Sequence, residues 1–336
     1  MNMHILGNSL MTTVQDLGRT GYQKYGVNVS GAMDPYSLRT ANRLTGNPEN
    51  AAALEMTLMA PSVVFDGPSV IALAGADMNP SAGGIPVPMN RPVYLPEGTV
   101  LSFGRPRRGC RCYMAVSGGL DVPSVMGSRS TYARASLGGF QGRTLIKGDS
   151  LPVGKMPEKG KKLQNILEKQ KRKTAWTPWS AGIYPICESF LFRPFRYTEG
   201  LQYSDFSEES RTALERNRYR VTVHADRMGY RLEGEKLHLA VQKEMISEMA
   251  SLGTIQIPSE GYPIVLMAEH QTCAGYPEIG QIILPDTARA AQLKPGDTMT
   301  FEKISLEEAE NIYIQTEKQM RAMTAGIDAH IEQGGL

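Results

Sequence analysis

The chain has 336 residues, 41% hydrophobic and 21% charged, a length beyond the usual single domain that predicts two, each able to bury its own core. Its 36 basic and 34 acidic residues leave a formal charge of +2, and eight of the basic ones fall in residues 155–173 against two Glu, which excludes a broadly basic, nucleic-acid-binding surface. There is no Lys or Arg ahead of an apolar run at the N-terminus and no long uninterrupted apolar stretch, so neither a signal peptide nor a membrane span is expected, and four cysteines fit a reduced, cytoplasmic setting.

With 34 Gly and 21 Pro the chain has many turns between short elements, and strands are expected to dominate. The first clear helix has Asp34 as its cap, Pro35 at the first position, Leu38, Ala41 and Leu44 along one face and Gly46 as its stop. Strands are predicted over Val70–Ala74 and Arg111–Val116, the latter aiming Cys110 and Cys112 at one face. LPEGTVLSF at 95–103 and LIKGDSLPV at 145–153 each read as a tight turn feeding a strand. The basic stretch that follows, 155–180, reads as a solvated linker. Beyond it, strands are predicted over Tyr219–His224, Thr254–Pro258 and Ile264–Ala268, a short helix over Asp286–Gln292, and a third turn-strand unit in LKPGDTMTF at 293–301. A last helix opens on the capping pair Ser305 and Glu308 and sets Tyr313, Met320, Met323, Ile327 and Ile331 along one face. The expected organisation is thus a β-rich domain over 1–154, a linker over 155–180, a second β-rich domain over 181–304 and a C-terminal helix over 305–336.

Several chemistries lack their residues. The spacing nearest to a phosphate loop, Gly148 to Gly154–Lys155, has five residues between the glycines and Met156 where a hydroxyl must meet the metal. No G-x-S-x-G or H-E-x-x-H occurs, and the five histidines lack metal-ligand spacing, so no metal is expected. What remains is a set of Gly-rich segments dense in charged and amide groups. They run over 12–34 with Gln15 and Asp16, 117–132 with Arg129, 137–143 with Arg143, 224–234 with Asp226 and Arg227, and 267–277 with Glu269, His270, Gln271 and Tyr276. Arg in such loops can recognise a carboxylate or phosphate, and His or an acidic residue can move a proton. His270 lies inside the last of these clusters and is the candidate acid or base, whereas Cys273 reads as an inert thiol.

TTVQDLGRTGYQKYGVNVSGAMDPYSLRTANRLTGN, AALEMTL, LAGAD, GGLDVPSVMGSRSTY, LGGFQGR, DRMGYRLEG, GTIQIPSEGYPIVLM and AQLKPGD stand in this order from about residue 5 to 303. In them the chain resembles the biotin-dependent carboxyltransferase-like family, which includes KipA, the 5-oxoprolinase C subunit and the matching half of the urea carboxylase carboxyltransferase domain. The resemblance implies a mainly β protein with cyclophilin-like β-barrel architecture and few helices. It further implies an enzyme component that works in a complex with a KipI-like B subunit and an A subunit, opening the lactam of 5-oxoproline to glutamate at the expense of ATP, which is bound with the partner subunit. The alternatives it leaves open are the carboxyltransferase component of a urea-carboxylase-type enzyme and a KipA-like regulator of a kinase-inhibitor protein. No biotin attachment sequence is present, so this chain is not expected to carry biotin. Carried onto this sequence, the resemblance assigns Asp226, Arg227, Glu269 and His270 to catalysis. It assigns Gln15, Asp16, Arg129, Arg143, Gln256, Gln271 and Tyr276 to substrate binding. Where the family commonly reads Ala-Asp-Arg-Gln-Thr, this chain reads Ala268-Glu269-His270-Gln271-Thr272, and Gly-Pro-Gln becomes Gly200-Leu201-Gln202. Exchanging Arg for His gives up a permanently charged, forked donor.

Overall fold

The computed structural model describes residues 1–182, 193–241 and 245–334. The chain forms two compact units: Met1–Arg19, Ser30–Ile186 and Gln319–Leu336 make the first, and Thr20–Val29 with Cys187–Lys318 the second. The expectation of a mainly β protein holds. Among the described residues there are five α-helices: α1 (Pro35–Leu44), α2 (Glu158–Glu168), α3 (Glu208–Arg216), α4 (Leu284–Ala290) and α5 (Leu306–Glu332).

The first unit is built on two six-stranded sheets. Met3, Ile5, Val63, Phe65, Leu101 and Leu151 of one sheet meet Val14, Leu54, Met56, Leu73, Cys112 and Met114 of the other in a shared apolar core. The second sheet is covered on both faces, which explains why its central strands are apolar throughout rather than alternating. Along Arg108–Val116, Cys112, Met114 and Val116 face the inter-sheet core, while Tyr113 and Ala115 pack with Leu38 and Ala41 of α1. Asp34 caps α1 as its sequence predicts, its carboxylate accepting from Ser37 N at 3.0 Å.

The basic tract does not run as a free linker. Helix α2 occupies 158–168 with Leu163 and Leu167 buried, and Ala175–Trp176 pairs with Val93–Leu95 at the edge of a sheet of the first unit. Two leucines four apart form a one-sided apolar stripe, and Lys161 and Lys162 on the outer side stay about half exposed. The units also differ in composition from the expected contiguous blocks, since residues 20–29 belong to the second and the end of α5 to the first. From Gln319 onward α5 sets Ile327 and Ile331 against Leu44, Val70 and Leu163. Its start is the predicted capping box: Ser305 N donates to Glu308 Oε2 at 2.9 Å and Glu308 N to Ser305 Oγ at 3.2 Å.

The second unit is an eight-stranded, almost closed barrel. Its order is Thr298–Met299, Tyr219–Val221, Gly229–Glu233, Ile264–Leu266, Thr254–Gln256, Glu278–Ile282, Phe195–Glu199, Phe301–Lys303. All these pairs are antiparallel except the last. The two ends of the order are consecutive in sequence, separated by Thr300 alone, so one segment supplies both edges. Phe301 lies at this seam, its ring meeting Tyr197 edge-on at 6.4 Å and Tyr219 at 5.8 Å. The turn that feeds the segment has Gly296 at φ 93°, as Gly148 has at 95° in the corresponding turn of the first unit, a backbone region that disfavours any side chain.

Candidate functional site

In the first unit, Gln15, Asp16 and Arg129 come together where the strand Met11–Gln15 ends against the loop 128–131. Asp16 is buried, and both its carboxylate oxygens accept: Oδ1 from Gly18 N at 2.8 Å, Ser128 Oγ at 2.6 Å and Ser130 Oγ, and Oδ2 from Arg129 N at 2.5 Å. Gln15 Nε2 donates to Thr13 Oγ1 at 3.0 Å and to Thr131 O at 3.2 Å. The Arg129 side chain reaches Val122 O at 2.8 Å and Asp121 at 3.5 Å. Arg143 makes a two-pronged pair with Asp149 at 2.7 and 2.8 Å, which holds the Asp149 carboxyl below the usual carboxylate range. These groups shape loops on one another, with three donors on Asp16 Oδ1 and Arg129 N on Oδ2.

In the second unit, Arg227, Glu269 and His270 are brought together, joined by Asn28, which sequence reasoning missed. Arg227 Nε donates to Glu269 Oε1 at 2.6 Å with both side chains buried, and Glu269 N donates to Arg227 O at 2.7 Å. Asn28 Nδ2 donates to Glu269 O at 2.9 Å, and His270 N to Met267 O at 2.9 Å, so the turn bearing His270 is held from three sides. His270 Nδ1 lies 2.7 Å from Gln271 O. A carbonyl only accepts, so Nδ1 carries the proton of the neutral ring and Nε2 keeps its lone pair. Burial lowers the His270 pKa and favours that neutral state, opposed in part by the Gln271 carbonyl. Asp226 instead accepts from Met228 N at 2.8 Å and Gly229 N at 3.1 Å, a local turn. Gln271 is exposed and contributes its carbonyl.

Gln256 and Tyr276 belong to a different part of the same unit. Tyr276, half exposed, lines a groove of about 540 Å³ together with Phe206, Leu237, Leu239, Met245 and Ile257. Gln256 is 2% exposed and pairs across the sheet with Glu278, a buried acid next to the groove wall that nothing in the sequence singled out. Among the described residues no cluster of three or more His, Cys, Asp or Glu is arranged to hold a metal, and no helix is long and apolar enough to cross a membrane.

The carboxyltransferase domain family, subdomains A and B, matches residues 25–303. The 5-oxoprolinase C subunit of Escherichia coli is 36% identical over 307 residues, covering 91% of this chain and 93% of that one, and its counterpart in Haemophilus influenzae is 34% identical over 91% and 92%. The crystal structure of the Kluyveromyces lactis urea amidolyase superposes with a TM-score of 0.84 at 29% identity over 96% of this chain, which spans 20% of that much longer one.

Proposed function

This chain belongs to the carboxyltransferase domain family of subdomains A and B, and from that premise we propose that it is the C component of an ATP-dependent 5-oxoprolinase, active with companion A and B chains. The observation that carries the reading is the similarity to the Escherichia coli 5-oxoprolinase C subunit over nearly the full length of both chains. An unactivated lactam resists water. Its ring C–N bond breaks only after the carbonyl is made more electrophilic, the work assigned to ATP as co-substrate, and the departing nitrogen needs a proton. On this reading ATP binds with the partner chain, since this sequence has no phosphate loop.

Within this chain His270 is the group suited to moving a proton, with Nε2 open and its orientation set by the carbonyl of Gln271. Arg227 and Asn28 are positioning residues: both act on Glu269, the residue before His270. The test is reconstitution. The three chains together should convert 5-oxoproline to glutamate with ADP and phosphate released, and neither this chain alone nor the A and B chains without it should do so. Turnover by the isolated chain, or undiminished turnover in its absence, would overturn the reading. A carboxyltransferase role alongside a separate biotin carrier is the second reading, favoured by the superposition on urea amidolyase. It predicts carboxylation of urea, not lactam opening, in the same preparation.

A further inference from the structure

Part of the second unit leaves large apolar side chains bare: Ile246 is 83% exposed, Val241 76%, Met249 69% and Leu201 69%. Hydrogen bonds gather these residues round the groove that Tyr276 lines. Ala240 N donates to Asp205 O at 2.8 Å, which sets Val241 beside the turn bearing Phe206, and Gln202 Nε2 donates to Glu248 Oε2 at 2.9 Å, which sets Leu201 beside Met249. Met245, the residue before Ile246, lines the groove itself. Single exposed apolar side chains are ordinary, but a contiguous set next to an apolar groove marks a surface that another molecule covers.

The ribbon of Glu248–Met249 paired with Cys273–Ala274 shows what form the cover takes. It stands apart from the barrel sheet, and among the described residues neither of its strands has a second neighbour. Glu248 and Met249 point to opposite faces and both are exposed, as is Cys273. Two strands with both faces bare are marginal in water and become stable on gaining a third. Their open edges present unpaired N–H and C=O groups to an extended chain. Gly275 and Tyr276 continue the strand Cys273–Ala274 into the groove, so a chain laid along the ribbon reaches it.

Charge narrows the occupant further. Exposed Glu208, Glu235 and Glu260 each stand within two residues of a groove-lining position, and Glu248 lies on the ribbon, whereas Lys236 on the same rim is turned onto the Tyr262 ring at 5.2 Å. We propose that this surface docks an extended segment of a companion chain, apolar where it meets the groove and carrying Lys or Arg at its flanks, which pairs with the ribbon as a third strand. An acidic rim steers such a segment in and turns an acidic one away. The same rim disfavours a second copy of this chain, because a two-fold contact would set these acids against their own counterparts. The proposal rests on the reading of the chain as one component of a complex, and adds to it the surface of contact and the chemistry of what binds there.

The experiment is association of the purified full chain with the purified companion A and B chains, each alone and both together, followed by biolayer interferometry. Sedimentation of this chain by itself and the melting temperature of every variant are recorded alongside. Wild type should sediment as a single copy and bind a companion chain, more weakly as salt rises. I246D and M249D put a carboxylate where apolar contact is expected and should weaken binding about tenfold or more, while melting within about 3 °C of wild type because both positions are exposed. Should M249D melt lower, I246D, outside the paired residues of the ribbon, carries the test. E235K/E260K should bind about threefold or more weakly and with less dependence on salt. Amides of the ribbon should gain protection from hydrogen exchange in the complex, as a third strand requires. Unchanged affinity of I246D and M249D, no added protection of the ribbon, or self-association that I246D abolishes overturns the proposal. If wild type binds neither companion chain, the proposal and the reading of a complex fall together. If it binds and the complete complex does not turn over 5-oxoproline, the oxoprolinase reading falls alone.

Discussion

Replacing Arg227 by Ala removes the guanidinium that meets Glu269 at 2.6 Å in an environment where the two side chains are 2% and 6% exposed. The carboxylate left behind has neither water nor a counter-charge, and removing one partner of such a pair costs about 3–5 kcal/mol. For a unit of this size that corresponds to a fall of about 10–20 °C in melting temperature. The geometry commits Arg227 to Glu269, so the loss should appear first as instability. R227A/E269A should lose less than the sum of the two single variants, because it removes the stranded charge along with its partner. Thermal melts of the four proteins in one buffer, together with turnover of the reconstituted complex below the lowest melting point, measure both effects. If Arg227 instead clamps an anionic group of the substrate, R227A would melt near wild type and lose about ten- to hundredfold in turnover. That outcome would refute the structural assignment.

The remaining expectations concern His270 and the cluster around Asp16. His270 has a folded pKa below its ordinary value of 6.5, so its contribution to stability is complete above that value and is lost as the pH falls towards the folded pKa. H270Q should therefore flatten the acid side of the melting-temperature profile, and a variant that keeps the wild-type slope there would place the titration elsewhere. Asp16→Ala abandons two serine hydroxyls and the backbone N–H groups of Gly18 and Arg129 at a buried position. It should cost about 2–4 kcal/mol in chemical denaturation, and a loss below about 1 kcal/mol would mean that water replaces the carboxylate.

Elements fixed by neighbours in sequence were legible. The Asp34 cap with Pro35, the Ser305–Glu308 box and the glycine turns before Ser150–Pro152 and Thr298–Met299 all appear where a few adjacent residues dictate them. Helix α2 was hidden because its apolar stripe is only Leu163 and Leu167 amid a run of lysines, and periodicity over two turns is weaker than the composition around it. Helix α3 has a similar poverty of apolar residues, with Leu214 the buried hydrophobic one. Arg227, Glu269 and His270 were readable as a dense polar stretch, but their partner Asn28 lies 241 residues from Glu269. Glu278 escaped notice for the same reason. It stands in an ordinary strand, and its neighbours Gln202 and Glu248 become neighbours only once the barrel forms.

Closure of that barrel by Thr298–Met299 and Phe301–Lys303 sets an order on its assembly. Both edges of the sheet, Tyr219–Val221 and Phe195–Glu199, receive their partners from one segment that lies far later in the chain than either. During synthesis the earlier strands can be present while two rows of unpaired backbone groups remain open, since the segment that covers them emerges last. Open edges of this kind recruit strands from other molecules. Residues 298–303 thus act as a seam that determines whether the nascent chain completes itself or joins its neighbours, and the polar, well-capped start of α5 directly behind them anchors that seam once it is sewn.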